Sequence, residues 1–275
     1  MRIEVATANT YYLPFEQTLA IIAEAGFQDV EVALYWKGGS WAMAQHLEGV
    51  SGRRAAEMIS RAGLRVACIH DGGGVLERAD SPAGYVNPLL DEYLDGLGYA
   101  PECIVCHTPH VAGEVPEGWW DGVSEAVVRA LEPYRARCGA LTLENTPPFD
   151  GYAVPLTMPD ELGAFCAAHD VGVTLDTTHY AQMDVDAVAA ADLLRERVRS
   201  VHLSDYRGGR PHVYIGEGAL DLPGVLGALN GADVRVVTLE CSVGLPGEDV
   251  RTMAAGRMVE RLRTAGERVQ SWLHA

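Results

Sequence analysis

Four apolar, strand-like runs of this 275-residue chain stop on a side chain that can hold a metal or move a proton. They are LTLE ending at Glu144, VGVTLD at Asp176, RSVH at His202 and VVTLE at Glu240. Two further runs end on His70 and His107, His179 follows Asp176 after two threonines, and His212 lies in a long loop beyond His202. Taken singly, a histidine at a strand end is an ordinary hydrogen-bonded residue, and a glutamate there suits the N-terminus of the next helix. Together they mean more, because an ionised carboxylate leaving a core needs a partner. Three carboxylates in one place repel, and a divalent cation is the simplest remedy. Two Glu, one Asp and one His form an oxygen-rich set that suits Mn²⁺, Co²⁺ or Mg²⁺ and is compatible with Zn²⁺.

The elements that must position these side chains alternate from end to end. Strands are predicted over Arg2–Ala8, Asp29–Leu34, Leu64–His70, Glu102–His107, Ala140–Glu144, Val171–Asp176, Val198–Leu203 and Val234–Glu240. Helices are predicted over Phe15–Ala25, Ser51–Ala62, Pro88–Tyr99, Trp119–Arg137, Asp160–His169, Asp186–Arg197, Leu222–Asn230 and Asp249–Leu273. Ser51 reads as an N-cap, and Gly26 and Gly63 follow helix ends. Alternating βα units imply a parallel sheet. Eight of them in this length suit an α/β fold made of a single (β/α)8 TIM barrel, one domain over residues 1–275. The competitor is an open doubly wound sheet. TANTYYLP after the first strand is not a Gly-rich phosphate loop, so no nucleotide cofactor is expected.

Composition bounds the partners. A formal charge of −17 opposes binding along a phosphate backbone. No apolar run approaches the ~20 residues of a membrane span, and MRIEVATANTYY lacks a signal pattern, so a cytoplasmic location is expected. Lys37 is the one lysine, so Schiff-base chemistry would have to use it. Cys103 and Cys106 have CxxC spacing but lie in a strand, which puts them on opposite faces. The six cysteines read as reduced core residues. Trp36, Trp41, Trp119 and Trp120 follow strand ends, where aromatic rings can stack on sugar faces. Glu31, inside a strand, is expected to point into the barrel with a hydrogen-bonding role.

The segments LENT at Leu143–Thr146, LDTTH at Leu175–His179, VHLSD at Val201–Asp205, HVYIGEG at His212–Gly218 and TLE at Thr238–Glu240 resemble those of xylose isomerase-like TIM barrels. GFQDVEV at Gly26–Val32 extends the likeness over the whole chain. That group holds sugar isomerases and epimerases, inosose dehydratases and endonuclease IV-type enzymes. The resemblance implies one divalent metal held by Glu144, Asp176, His202 and Glu240. In the epimerase branch the glutamates equivalent to Glu144 and Glu240 are also the acid/base pair, passing a proton through an enediolate. His179, Arg207 and Trp119 would then contact a small sugar or cyclitol. In the endonuclease branch His70, His107, His179 and His212 fall where further metal ligands lie. That branch has an aspartate where this chain has Arg210, which argues against a third metal. The reading is therefore a metal-dependent sugar isomerase or epimerase. The alternatives are a keto-polyol dehydratase on the same site, a zinc phosphodiesterase of AP-endonuclease type, and a non-catalytic sugar-binding barrel. Glu248 and Asp249, at the expected start of the last helix, would compete with a substrate phosphate. An unphosphorylated substrate is favoured. Dimers and tetramers are frequent in the resembling family, so a homo-oligomer is expected.

Overall fold

A computed structural model describes residues 1–34, 42–71, 75–76, 85–113, 115, 117–149 and 151–274. Trp36, Lys37 and Trp41 lie outside the described residues. Eight parallel strands close on themselves in sequence order: β1 (Arg2–Ala6), β2 (Asp29–Ala33), β3 (Arg65–His70), β4 (Cys103–His107), β5 (Ala140–Glu144), β6 (Gly172–Asp176), β7 (Val198–Leu203) and β8 (Val236–Leu239). The helices between them are α1 (Phe15–Glu24), α2 (Gly52–Arg61), α3 (Leu90–Leu97), α4 (Trp119–Leu131), α5 (Pro159–His169), α6 (Ala187–Leu194), α7 (Leu222–Ala228) and α8 (Ala255–Leu273). This is the (β/α)8 TIM barrel.

Strand alternation sorts the side chains. Val5, Val32, Ile69, Ile104, Leu143, Leu175, Val201 and Leu239 enter the main apolar layer between strands and helices. The other parity faces the barrel axis. There Cys68, Cys103, Val105 and Val236 form a small separate cluster, while Cys106 joins the outer layer, so Cys103 and Cys106 do face opposite ways. The register sets neighbours at the C-terminal strand ends: His107 lies beside Glu144, and His202 beside both Asp176 and Thr238.

Several ends differ from the sequence expectation for local reasons. The fourth helix stops at Leu131 and continues to Arg137 as a 3-10 turn, because Pro133 has no N–H for an α-helical bond. The last helix starts at Ala255 rather than Asp249. Asp249 instead caps a separate 3-10 turn, Val250–Thr252, by accepting from the Arg251 N–H at 3.0 Å. A six-residue helix, Thr177–Gln182, follows Asp176 in a stretch for which no element is predicted. The loops after β3, β4 and β5 pair as a small three-stranded sheet over Val75–Leu76, His110–Ala112 and Tyr152–Ala153. No helix among the described residues is long and apolar enough to cross a membrane.

Glu4 lies on β1 in the barrel interior, fully buried, beside Thr238 of β8. Thr238 donates to its Oε1 at 2.9 Å, and its Oε2 accepts nothing. Burial, reinforced by the Glu31 charge, pushes its carboxyl up to about 8. A folded-state value above the unfolded one means stability is fully present below about pH 4.5 and is lost as pH rises through about 8. The loss is up to about 1.4 kcal/mol per pH unit in that window. Glu4→Gln keeps the shape and removes the titration. Urea unfolding at pH 5.5 and 8 should therefore show the variant gaining on the wild type as pH rises. A wild type that gains as much as the variant over this range would show that Glu4 is ionised in the fold.

Candidate functional site

The site is built by strand ends and by the turns that leave them. Asp176 closes β6 and caps the Thr177–Gln182 helix. Its Oδ1 accepts from the Thr178 and His179 N–H groups, both at 2.7 Å, and from the Thr178 hydroxyl at 3.0 Å. That capping leaves Oδ2 buried and without a hydrogen bond. Asn145, next to Glu144, ties the two strand ends together: its amide donates to the Asp176 carbonyl at 3.0 Å and accepts from the Asp176 N–H at 2.8 Å. Thr177 donates to the Ser204 carbonyl at 2.7 Å, fixing the end of β7. Asp205 then accepts from four backbone N–H groups, of Tyr206, Gly216, Gly218 and Leu220, which folds the whole loop back on itself.

Glu144, Asp176, His202 and Glu240 offer ligand atoms that all lie within 4.8 Å of one another, and all four residues are buried. His202 is the hub. Its Nδ1 lies 2.8 Å from Glu240 Oε2 and 3.4 Å from Glu144 Oε1. Its Nε2 lies 2.9 Å from Glu31 Oε2 on the opposite side. Despite the short approach, His202 Nδ1 and Glu240 Oε2 make no aligned hydrogen bond, and neither do the two oxygens of Glu144. These atoms converge on a shared point rather than on each other. A divalent cation fits such a set of unpartnered donors, with Glu31 orienting the imidazole behind it.

The remaining histidines flank this group. His70 and His107 bring their Nε2 atoms to 3.3 and 3.4 Å from Glu144 Oε2, and His70 Nδ1 lies 3.4 Å from Glu31. His179 Nδ1 lies 3.1 Å from Glu144 Oε1 and 2.9 Å from the Asn145 carbonyl. His212 stacks edge-on to His179 and places Nδ1 3.0 Å from the Glu240 carbonyl. Its φ of +51° is left-handed, a conformation most residues avoid and one that recurs at functional sites. Asp176, His179 and His212 form a second possible ligand group, and His70, His107 and Glu144 a third.

Without a metal, protons do the neutralising. Burial alone would lower the histidines. The Glu144 and Glu31 carboxylates outweigh it and push His70 up to about 10. Asp176, Glu144 and Glu240 likewise raise His179 to about 9. His202 is also raised, against its burial, by Glu31, Glu144 and Glu240. His107 goes the other way, lowered by burial. Burial would raise the carboxyls, but the His202 charge holds Glu144 far below its usual range and, with His212, holds Glu240 at about 2.

Two residues expected in the pocket are engaged elsewhere. Arg207 is exposed on the hairpin of Asp205–Arg207 and Arg210–Val213, and its guanidinium donates to the Glu217 carbonyl at 3.3 Å. Trp119 begins α4 and packs edge-on against Trp120, which in turn lies against Phe165. Phe149 and Tyr152, each about 41% exposed, contact His110 beside His107. The PPF after LENT is the one sequence signal that points toward them. A cavity of about 190 Å³ opens next to Glu240 and His212, walled by Tyr11, Tyr12, Ser242 and Arg251. Two larger clefts, of about 620 and 460 Å³, lie away from the cluster.

Fold and site define a TIM barrel with a carboxylate–imidazole centre at the C-terminal ends of its strands. The chain belongs to the xylose isomerase-like TIM barrel family, whose model matches residues 19–258. No curated protein matches it by sequence. Among solved structures it is similar to a xylose isomerase domain protein from Alicyclobacillus acidocaldarius, with 18% identity, a TM-score of 0.69, and 100% of this chain and 98% of that chain covered. A D-psicose 3-epimerase from Clostridium cellulolyticum, solved with D-tagatose, gives 16% identity and a TM-score of 0.69 over 99% of each chain. A D-tagatose 3-epimerase-like protein gives 21% identity and a TM-score of 0.64 over 100% of this chain and 97% of that one.

Glu31 tests the metal reading without any assay of turnover. Glu31→Gln should keep the fold, seen by circular dichroism, and weaken divalent-metal affinity by about 10–100-fold in a chelator competition. Unchanged affinity in a folded variant would leave Glu31 with a packing role only.

Proposed function

We propose that the chain is a divalent-metal-dependent isomerase or epimerase of a small sugar or sugar-like polyol. The observation that carries this reading is the convergence of unpartnered, buried oxygens of Glu144, Asp176 and Glu240 with His202 Nδ1, at the edge of a cavity. The names of the similar structures, among them two 3-epimerases and an epimerase-like protein, support the substrate class. Glu144, Asp176, His202 and Glu240 would hold the metal. When bound, it would polarise a substrate carbonyl and an adjacent hydroxyl and so lower the cost of enediolate formation.

The protein's own residues then divide the proton transfer. Glu240 lines the cavity and is held ionised, so its carboxylate is ready to take the proton α to the carbonyl. Glu144 is wholly buried among His70, His107, His179 and His202, and would act as the partner acid/base on the other side of the substrate. His179, anchored at the Asn145 carbonyl, would hold a substrate hydroxyl. A keto-polyol dehydratase would share the first step and is distinguished by loss of water from the product. The grouping of His70 and His107 on Glu144 also supports a second reading, a two-metal phosphodiesterase, which the overall charge of −17 opposes; Arg210 argues only against a third metal. The six unpaired cysteines support a reducing compartment such as the cytoplasm.

Elemental analysis of protein purified without chelator should find one Mn, Co, Mg or Zn per chain, lost in Asp176→Ala. Two or three zincs would move the phosphodiesterase reading forward. No metal after reconstitution would remove the basis of both. With a turned-over ketose in hand, Glu240→Gln should lower kcat by roughly 10²–10⁴-fold and abolish solvent-deuterium incorporation at the reacting carbon, measured on metal-loaded protein. Full turnover with full exchange in that variant would rule out Glu240 as the base.

A further inference from the structure

At the opposite end of the barrel, where the strands begin, the charges fall into two unlike halves. On one half cations and acids match. Arg2 lies 3.1 Å from Asp29 and 3.7 Å from Glu102, and Arg65 lies 3.3 Å from Glu102 and 3.9 Å from Asp29. On the other half a cleft of about 240 Å³ is lined by Arg135, Arg197, Arg199 and Arg235, and Asp170 is the one acid among its described lining residues. This is an unexpected place for cations to gather in a chain of formal charge −17.

Arg135 is committed elsewhere: it pairs with Glu132 and donates to the His169 and Asp170 carbonyls at the end of α5. Arg199 is partly engaged, donating to the Glu196 and Val198 carbonyls at 3.1 and 3.0 Å, whereas the guanidinium groups of Arg197 and Arg235 donate to no backbone carbonyl among the described residues. Arg197 and Arg199 reach Asp170 at 3.3 Å and Asp233 at 3.5 Å, yet those carboxylates are 95% and 68% exposed against 33% and 22% for the arginines. The acids stay hydrated outside while the cations are drawn in, so the pairs neutralise the cleft poorly. Arg235 has no ion pair among the described residues, and its Nε is buried without a hydrogen bond. Two glycines leave room for these side chains. A Cβ on Gly139 would collide with the Arg235 guanidinium, and one on Gly172 would lie 2.8 Å from Arg199 Cγ. Neither glycine has a left-handed φ, so space and not backbone conformation is what their lack of a side chain provides.

We propose that this cleft binds a small phosphate-type oxyanion through Arg197, Arg199 and Arg235. Guanidinium groups present paired N–H donors that match phosphate oxygens, and partly buried pairs are weakly screened by salt. The volume is below the roughly 300–1,000 Å³ of ordinary small-molecule sites, which suits an inorganic ion or one phosphoryl group with its remainder in solvent. The site lies at the far end of the barrel from the carboxylate cluster and does not depend on the metal there.

Isothermal titration of inorganic phosphate into the protein, both as purified and metal-loaded, tests this. Expected is one phosphate per chain in both states, with a melting temperature raised by phosphate and not by equal chloride. Arg235→Gln and Arg197→Gln should each weaken binding by about ten-fold or more, the scale of losing a charge-assisted hydrogen bond. Arg129→Gln, on an exposed face of α4, should leave it unchanged. Glycerol phosphate separates the two sources: affinity equal to that of inorganic phosphate identifies the free ion as ligand, and tighter binding identifies a phosphorylated metabolite. If Arg235→Gln fails to fold, Arg197→Gln and Arg199→Gln carry the test. Absence of saturable phosphate binding, or binding unchanged in folded variants, overturns the proposal.

Discussion

Everything at the mouth of this barrel depends on carboxylates buried where water cannot screen them. Two like charges about 4 Å apart repel by roughly 4 kcal/mol at an effective dielectric of about 20. Glu31, Glu144, Asp176 and Glu240 are all buried and share neighbours. The fold tolerates this because His202 stands between three of them and His70 between two. The parallel register is what brings these partners together, since it sets His202 beside Asp176 and His107 beside Glu144 before any loop is considered. The loops then serve the strand ends. Asn145, Thr177 and Asp205 direct their side chains to backbone groups, and the metal-capable atoms are left unpartnered.

Asp176 shows how one residue can serve both structure and chemistry. Its Oδ1 caps a helix, a role worth about 1 kcal/mol in general, while its Oδ2 stays free for the centre. Replacing it would therefore remove a proposed ligand and a cap together. Glu144 and Glu240 are unlike in a different way. Glu240 borders the cavity, whereas Glu144 is enclosed by four imidazoles. Two carboxylates that look interchangeable in sequence thus have unequal access to a substrate. This gives the proposed proton transfer a direction: the base that borders the cavity would act first, and the enclosed one would answer.

The barrel was legible because each strand announces itself by alternation or apolarity, and six of the eight reach a marked residue at or beside their C-terminal end. Two expected strands, Ala140–Glu144 and Val198–Leu203, have the observed bounds. Less legible were features that depend on neighbours far away in sequence. The Thr177–Gln182 helix is too short for periodicity, and it exists because Asp176 caps it. The roles of Glu31 and Glu4 come from His202 and Thr238, well over a hundred residues away in the chain. Trp119 starts a helix where one is predicted, but its ring packs on Trp120, while strand pairing of the loops positions Tyr152, and Phe149 packs on His110. Residue type suggested the chemistry in each case, and only packing decided which way the side chain faced.

The two ends of the barrel are electrostatic opposites, and helix direction explains why. Each helix runs back against its strand, so helix N-termini gather with the carboxylates and helix C-termini gather at the strand starts. N-terminal ends favour negative charge and C-terminal ends favour positive charge. Arg135, Arg195 and Arg263 accordingly donate to carbonyls at the ends of α5, α7 and α1. These arginines are accounted for by the helices they cap. Arg199 likewise donates to the Glu196 carbonyl just past the end of α6, and to the Val198 carbonyl, whereas the guanidinium groups of Arg197 and Arg235 make no such bond among the described residues. The helix dipoles explain why cations collect at the strand starts; they do not explain why Arg197 and Arg199 line one cleft with their acids outside it and Arg235 lines it with no acid partner among the described residues, and an anionic ligand would.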